Sequence, residues 1–190
     1  MAVAGPDYRI LSYNIGAPGS FADSTIFTAG GMFNSMKNNT CSGPPAEPLP
    51  GMNKLIPYSF IGDDAFALST CMMKGYPYQS ATTRQAYFNK RLSRARRVVE
   101  NVFGHLVQRF GVFQTSMKVN PNKASIITEA CVLLHNLLLK DSIYNKNMTS
   151  KGTRKKAACL DPWQPDDSIS TTIPSAKDIR EELNTYINRD

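Results

Sequence analysis

The stretch from residue 83 to residue 110 restricts the fold more than any other. Its apolar side chains fall at Phe88, Leu92, Ala95, Val99, Val102, Phe103, Leu106 and Phe110. They recur at the helical period through about six turns, which predicts one long amphipathic helix with a buried face. Gly111 supplies a stop. The same segment concentrates charge. Between Arg84 and Lys118 lie eight Lys/Arg residues and a single acid, Glu100, and that balance equals the formal net charge of the whole chain, +7. Cations gathered on one helix point to a polyanionic partner. One carboxylate inside that field is either a metal ligand or half of an ion pair. Arg96 at i−4 and Arg97 at i−3 are in reach, and such a pair is worth about 0.2–0.5 kcal/mol.

A second helix is expected from Pro121 to about Lys140, with Asn120 as its cap. Ile126, Ile127, Ala130, Cys131, Val132, Leu133, Leu134, Leu137 and Leu138 cover most of its circumference, so burial on several sides is expected. Upstream, Tyr8 to Ile15 reads as a strand ending in the turn Gly16-Ala-Pro-Gly-Ser20. A strand so near the start needs neighbours, and little sequence precedes it. Asp23 or Ser24 caps a helix expected to run to about Lys37. Asn38 to Asn53 reads as a loop, Leu55 to Ile61 as a short strand, and Ser69 to Thr83 as irregular. Residues 1–145 form the expected domain. Residues 146–174, with Lys151–Lys156 and Trp163, read as a polar linker, and 175–190 as a short last helix opened by a capping box at Ser175 and Asp178.

At 42% hydrophobic residues, the 190-residue chain can bury a core. Cys41, Cys71, Cys131 and Cys159 form no C-x-x-C pair or zinc spacing, which fits reduced thiols in the nucleus or cytosol. No apolar run reaches about 18 residues, so no membrane-spanning helix is expected.

Two acids fit a common role. Asp63 follows the apolar run ending at Ile61, at the expected carboxyl end of a strand, where α/β folds place functional groups. With Leu92 at zero and about 100° per residue, Phe103 lies near 20°, Arg96 near 40°, Glu100 near 80° and Arg94 near 200°. Glu100 is therefore expected at the rim of the buried stripe. Hard ions such as Mg²⁺ take one or two carboxylates plus water and phosphate oxygens. The plain alternatives are an ion pair for Glu100 and a strand-end turn or helix cap for Asp63. His135 is expected in the core, bonded to backbone. His105 is expected to face solvent, or to contact phosphate.

Four ordered blocks carry a resemblance. They are Gly16-Ala-Pro-Gly-Ser20 with Asp23, Phe60-Ile-Gly-Asp63-Asp-Ala-Phe66, Phe88-Asn89 followed by Ser93 to Gly104, and Leu134-His-Asn136. Together they resemble the Harbinger (PIF) transposases and the nucleases domesticated from them, over roughly residues 3 to 140. The resemblance implies an α/β fold of the RNase H-like class, a mixed sheet with helices, carrying a D-D-E metal triad that uses Mg²⁺ or Mn²⁺. Asp63 matches the second Asp and Glu100 the Glu. No residue matches the first Asp, and the sequence starts at about the third strand of that fold, so the first two strands are expected to be missing. The implied function is a nuclease acting on DNA phosphodiester bonds, inactive without its first Asp. The alternative is a catalytically dead remnant that binds DNA or protein. Arg91, Arg94, Arg96 and Arg97 are the candidates for phosphate contacts. The resemblance also implies a Myb/SANT-like DNA-binding partner. A nuclear location is expected, with the cytoplasm as a further one, and self-association into a homo-oligomer is compatible with either function.

Overall fold

The computed structural model describes residues 1–29, 44–140 and 175–189. The polar linker at 146–174, the basic cluster Lys151–Lys156, Trp163, Cys41, Cys159 and the end of the helix expected to reach Lys37 lie outside the described residues. The described part is mixed α/β and falls into two compact units. None of its helices is long and apolar enough to cross a membrane.

The first unit holds residues 1–22 and 97–140. Strand β1 (Ala2–Ala4) pairs antiparallel with β2 (Ile10–Tyr13). The neighbour that the first expected strand lacked is thus the three residues at the very start, too short to show a period. The connection places Tyr8 at φ 67°, a left-handed conformation that costs a non-glycine residue about 1–3 kcal/mol. His135 offsets that strain by donating from Nε2 to the Tyr8 carbonyl at 2.9 Å. The second half of the long helix, α2 (Thr83–Arg109), and helix α3 (Pro121–Leu138) complete this unit. Asn120 caps α3 as expected, accepting from the Asn122 amide. Ile10, Val102, Leu106 and Val132 form the core, flanked by Tyr8, Tyr13, Phe110 and Phe113.

Two expectations fail here. Helix α3 is not buried on several sides. Cys131, Val132 and His135 are buried, but Ile126, Leu133, Leu134, Leu137 and Leu138 are exposed. Its pattern is apolar on two faces, and the described residues cover only one. His105 does not face solvent freely. Its ring lies 5.3 Å from the Tyr8 ring, and its Nδ1 is buried without a hydrogen-bond partner. Burial, then the nearby His135 and Arg109, hold its pKa below the usual histidine value.

The second unit holds residues 23–29, 44–96 and 175–189. Helix α1 (Asp23–Ala29) sets Phe27 edge-on against Phe66 at 5.4 Å. The expected strand from Leu55 to Ile61 is two strands, because Pro57 has no N–H to continue a ladder. Strand β4 (Leu55–Ile56) pairs antiparallel with β3 (Glu47–Pro48), and β5 (Phe60–Ile61) pairs parallel with β6 (Met72–Met73). The described residues therefore show three separate two-stranded sheets, not the single mixed sheet expected. The segment expected to be irregular contributes β6 and a 3₁₀ turn at Tyr78–Ser80. Met73 of β6 and Phe88 of the first half of α2 belong to one buried cluster. Helix α4 (Ala176–Ile187) opens with both bonds of the expected capping box between Ser175 and Asp178. Its Ile179 is fully buried with Ile56, Met73, Tyr76 and Phe88, so the last helix is core and not appendage. Arg180 stacks 4.1 Å from the Tyr76 ring, and the Tyr76 hydroxyl donates to Glu181 at 2.9 Å. Burial and that bond push the Tyr76 pKa up to about 12.

The one-sided cover of α3 gives a first prediction. Val132→Ala is expected to cost about 2 kcal/mol in urea denaturation. Leu137→Ala is expected to cost less than about 0.5 kcal/mol. A second concerns pH. Because the folded His105 pKa lies below its unfolded value, its contribution is fully present above about pH 6.5 and is lost as pH falls below that. Thermal melting of the parent should therefore drop with acid in that window, and His105→Gln should flatten the drop.

Candidate active site around Asp63

Strand β5 ends at Ile61, and the chain turns through Gly62 to Phe66. The Gly62 amide donates to the Met73 carbonyl at 2.9 Å, extending the parallel pairing by one residue. A Cβ at Gly62 would meet the Met72 sulfur and the Phe66 ring at 2.9 Å, so a larger residue there would have to displace both side chains. Asp63 therefore stands at the carboxyl end of a strand, as its position in the sequence predicts. Its Oδ1 accepts from the Ala65 amide at 2.9 Å, and the Phe66 amide donates to the Asp63 carbonyl at 3.2 Å. This is an Asx turn, which fixes the carboxylate and leaves Oδ2 without a hydrogen-bond partner among the described residues.

The turn borders an open pocket of about 230 Å³. Asp63, Asp64 and Tyr78 line it on one side. Asn89, Leu92, Ser93 and Arg96 line it from α2. So the structure brings Asp63 together with Arg96, a member of the basic cluster. Arg96 is half-buried, while Arg91, Arg94 and Arg97 are exposed. Glu100 is exposed on the part of α2 that belongs to the other compact unit, and it does not line this pocket. Both Arg96 and Glu100 engage in interactions of their own.

The donor set can be weighed against a divalent ion. No group of three or more His, Cys, Asp or Glu side chains that could hold a metal occurs among the described residues. Asp63 and Asp64 do offer hard oxygen donors at one polar pocket. That suits an ion such as Mg²⁺, which keeps several waters and binds through one or two carboxylates, rather than one held in a full protein cage.

Two residues that carry this site were missed as such. The buried Asn89 side chain accepts from the Tyr76 amide at 2.8 Å and donates to the Tyr76 carbonyl at 2.9 Å. A signal existed: Asn89 falls about 60° from Leu92 on the helical projection, inside the apolar stripe, where a polar group must find partners. Lys74 donates from Nζ to the carbonyls of Asp64 and Phe66, each at 3.0 Å. Nothing in the sequence marked it, since its partners are backbone atoms ten and eight residues away.

Residues 1–136 match the family model described as DDE superfamily endonuclease. The chain belongs to that family. The motif resemblance to Harbinger transposases and their derived nucleases falls within it. Among curated proteins, "Protein ALP1-like" of Arabidopsis thaliana is 27% identical over 139 residues, covering 73% of this chain and 34% of that protein. The chain thus spans about a third of the length of this curated relative. No solved structure matches. Membership implies an RNase H-like fold and supports a transposase-derived nuclease domain.

The Asn89 clamp is expected to be indispensable to the site's frame. Asn89→Ala should cost about 2 kcal/mol in urea denaturation, since it leaves both Tyr76 backbone groups unsatisfied. Asn89→Asp should cost more, because it buries a carboxylate against the Tyr76 carbonyl.

Proposed function

We propose that this chain is the part of a Harbinger transposase-derived nuclease that carries the second and third carboxylates of a D-D-E triad, acting on duplex DNA. Asp63 and Glu100 are the metal ligands and catalytic carboxylates in this reading, with Mg²⁺ or Mn²⁺ as the ion. The chemistry such an ion supplies is polarisation of a phosphodiester and activation of a water or 3′-hydroxyl for in-line attack. Arg91, Arg94, Arg96 and Arg97 contact phosphates, which positions the duplex without reading its sequence. The Asx turn at Asp63 holds the carboxylate ready, and Ser93 and Asn89 keep the pocket polar.

The observation that carries the reading is the position of Asp63. It sits in a turn at the end of a parallel strand, bordering one pocket with Arg96 of the basic helix. Family membership supports the same chemistry. A Myb/SANT-like DNA-binding partner, a nuclear location and self-association belong to this proposal through the Harbinger resemblance.

The first test is binding. Affinity of the chain for a short duplex, followed by fluorescence anisotropy, should fall steeply with salt. Removing Arg91, Arg94 and Arg97 together should lower the log–log salt slope by about 3. Binding that ignores both salt and these substitutions would overturn the DNA assignment. The second test is the metal. Mn²⁺ titration calorimetry should show at least about tenfold weaker binding for Asp63→Ala and for Glu100→Ala. Parent-like binding by both would remove the metal role. Salt-dependent DNA binding together with that outcome would leave a DNA-binding module without cleavage chemistry.

A further inference from the structure

We propose that Lys74 is the positioning residue of the Asp63 carboxylate and sets the affinity of the site for a divalent cation. This rests on Asp63 being a metal ligand, as proposed above.

The 62–66 turn has little apolar anchorage. Asp64 and Ala65 are exposed, and only Phe66 packs, against Phe27 and Gly62. What closes the turn from outside is the Lys74 ammonium, bonded at 3.0 Å to the carbonyls on either side of Ala65. Charge-assisted bonds of this kind are about twice as strong as neutral ones. Ala65 is also the residue whose amide holds Asp63 Oδ1. The Asp64 carbonyl belongs to the same peptide group as the Ala65 amide, so the lysine holds the very peptide that orients the carboxylate, together with the Phe66–Ala67 peptide that follows.

Lys74 is itself well placed to act as a brace. It follows β6 directly and precedes Gly75, where a Cβ would meet Asn89 Oδ1 at 2.7 Å. Strand pairing fixes its backbone on one side and the Asn89 clamp on Tyr76 fixes it on the other. Its charge is spent on carbonyls: among the described residues it makes no ion pair with Asp63 or Asp64. Both carboxylates stay available to a cation.

Two effects of Lys74 oppose each other. Its charge repels an incoming cation, while its bonds hold the carboxylate in place. Lys74 and Asp63 are half-buried beside an open pocket, so salt screens the repulsion in part. Groups that orient a metal ligand through hydrogen bonds typically change metal affinity by about 10–100-fold when removed. Positioning is therefore the larger effect.

The test uses the full chain and two readouts. Lys74→Met is expected to weaken Mn²⁺ binding about tenfold by titration calorimetry. It is also expected to speed amide exchange at Ala65 and Phe66 about tenfold in metal-free protein, with the Tyr76 amide unchanged. Lys74→Arg should recover part of both. Unchanged Mn²⁺ affinity, or tighter binding, would overturn the proposal, since the latter means that repulsion dominates. Unchanged exchange at Ala65 and Phe66 would overturn it as well. Asp63→Ala, run alongside, separates the two layers. If that variant binds Mn²⁺ like the parent, the metal reading itself fails and the proposal falls with it. If Asp63→Ala loses binding and Lys74→Met does not, only the role of Lys74 is wrong.

Discussion

The side chain of Asn89 does the work of a strand backbone. One carboxamide offers an acceptor and a donor, and both meet the same residue, Tyr76, at 2.8 and 2.9 Å. A helix cannot join a sheet through its own backbone, because its N–H and C=O groups are already used internally. A buried Asn on the helix face solves that problem with two bonds and no charge. Much of the second compact unit depends on it. Tyr76 is fixed where its ring meets Phe88 at 5.5 Å and Arg180 at 4.1 Å, and where its hydroxyl meets Glu181. Through Gly75, the same clamp fixes Lys74 and hence the turn that carries Asp63.

The first unit repeats the device. Asn136 on α3 accepts from the Ile10 amide at 2.9 Å and donates to the Ile10 carbonyl at 2.8 Å. Beside it, His135 holds the Tyr8 carbonyl. Two consecutive polar residues on an apolar helix thus anchor the N-terminal hairpin and offset its strained turn. Phe88-Asn89 and Leu134-His-Asn136 have a related physical meaning: Asn89 ties a helix to the segment just after β6, and Asn136 ties a helix to β2.

The exposed side of α3 follows from its composition. A helix apolar around most of its circumference buries itself fully only if covered on more than one side. Here one side meets Ile10, Val102 and Leu106, and Ile126, Leu133 and Leu137 remain in solvent. On the long helix α2 charges occupy the outward positions Arg91, Arg94 and Arg97, but Tyr87, Val107 and Phe103 are exposed too, although the spacing places Phe103 in the buried stripe.

The sequence by itself determined the elements with strong local signals. Helix α2 followed from periodicity, α3 from Asn120 and Pro121, α4 from Ser175 and Asp178, and the core role of His135 from its apolar setting. These rest on interactions within one or two turns of chain, which spacing encodes directly. Asp63 at a strand end was legible for the same reason. Short strands were not: two-residue pairs such as β5 with β6 have no period to read, and they form only where tertiary packing brings them together. The brace of Lys74 on the Asp63 turn, the clamp of Asn89 on Tyr76 and the burial of His105 were likewise decided by tertiary structure. Each joins a side chain to backbone atoms or to groups distant in the chain: the helical position of Asn89 shows that it needs partners, but which backbone supplies them is decided only by packing.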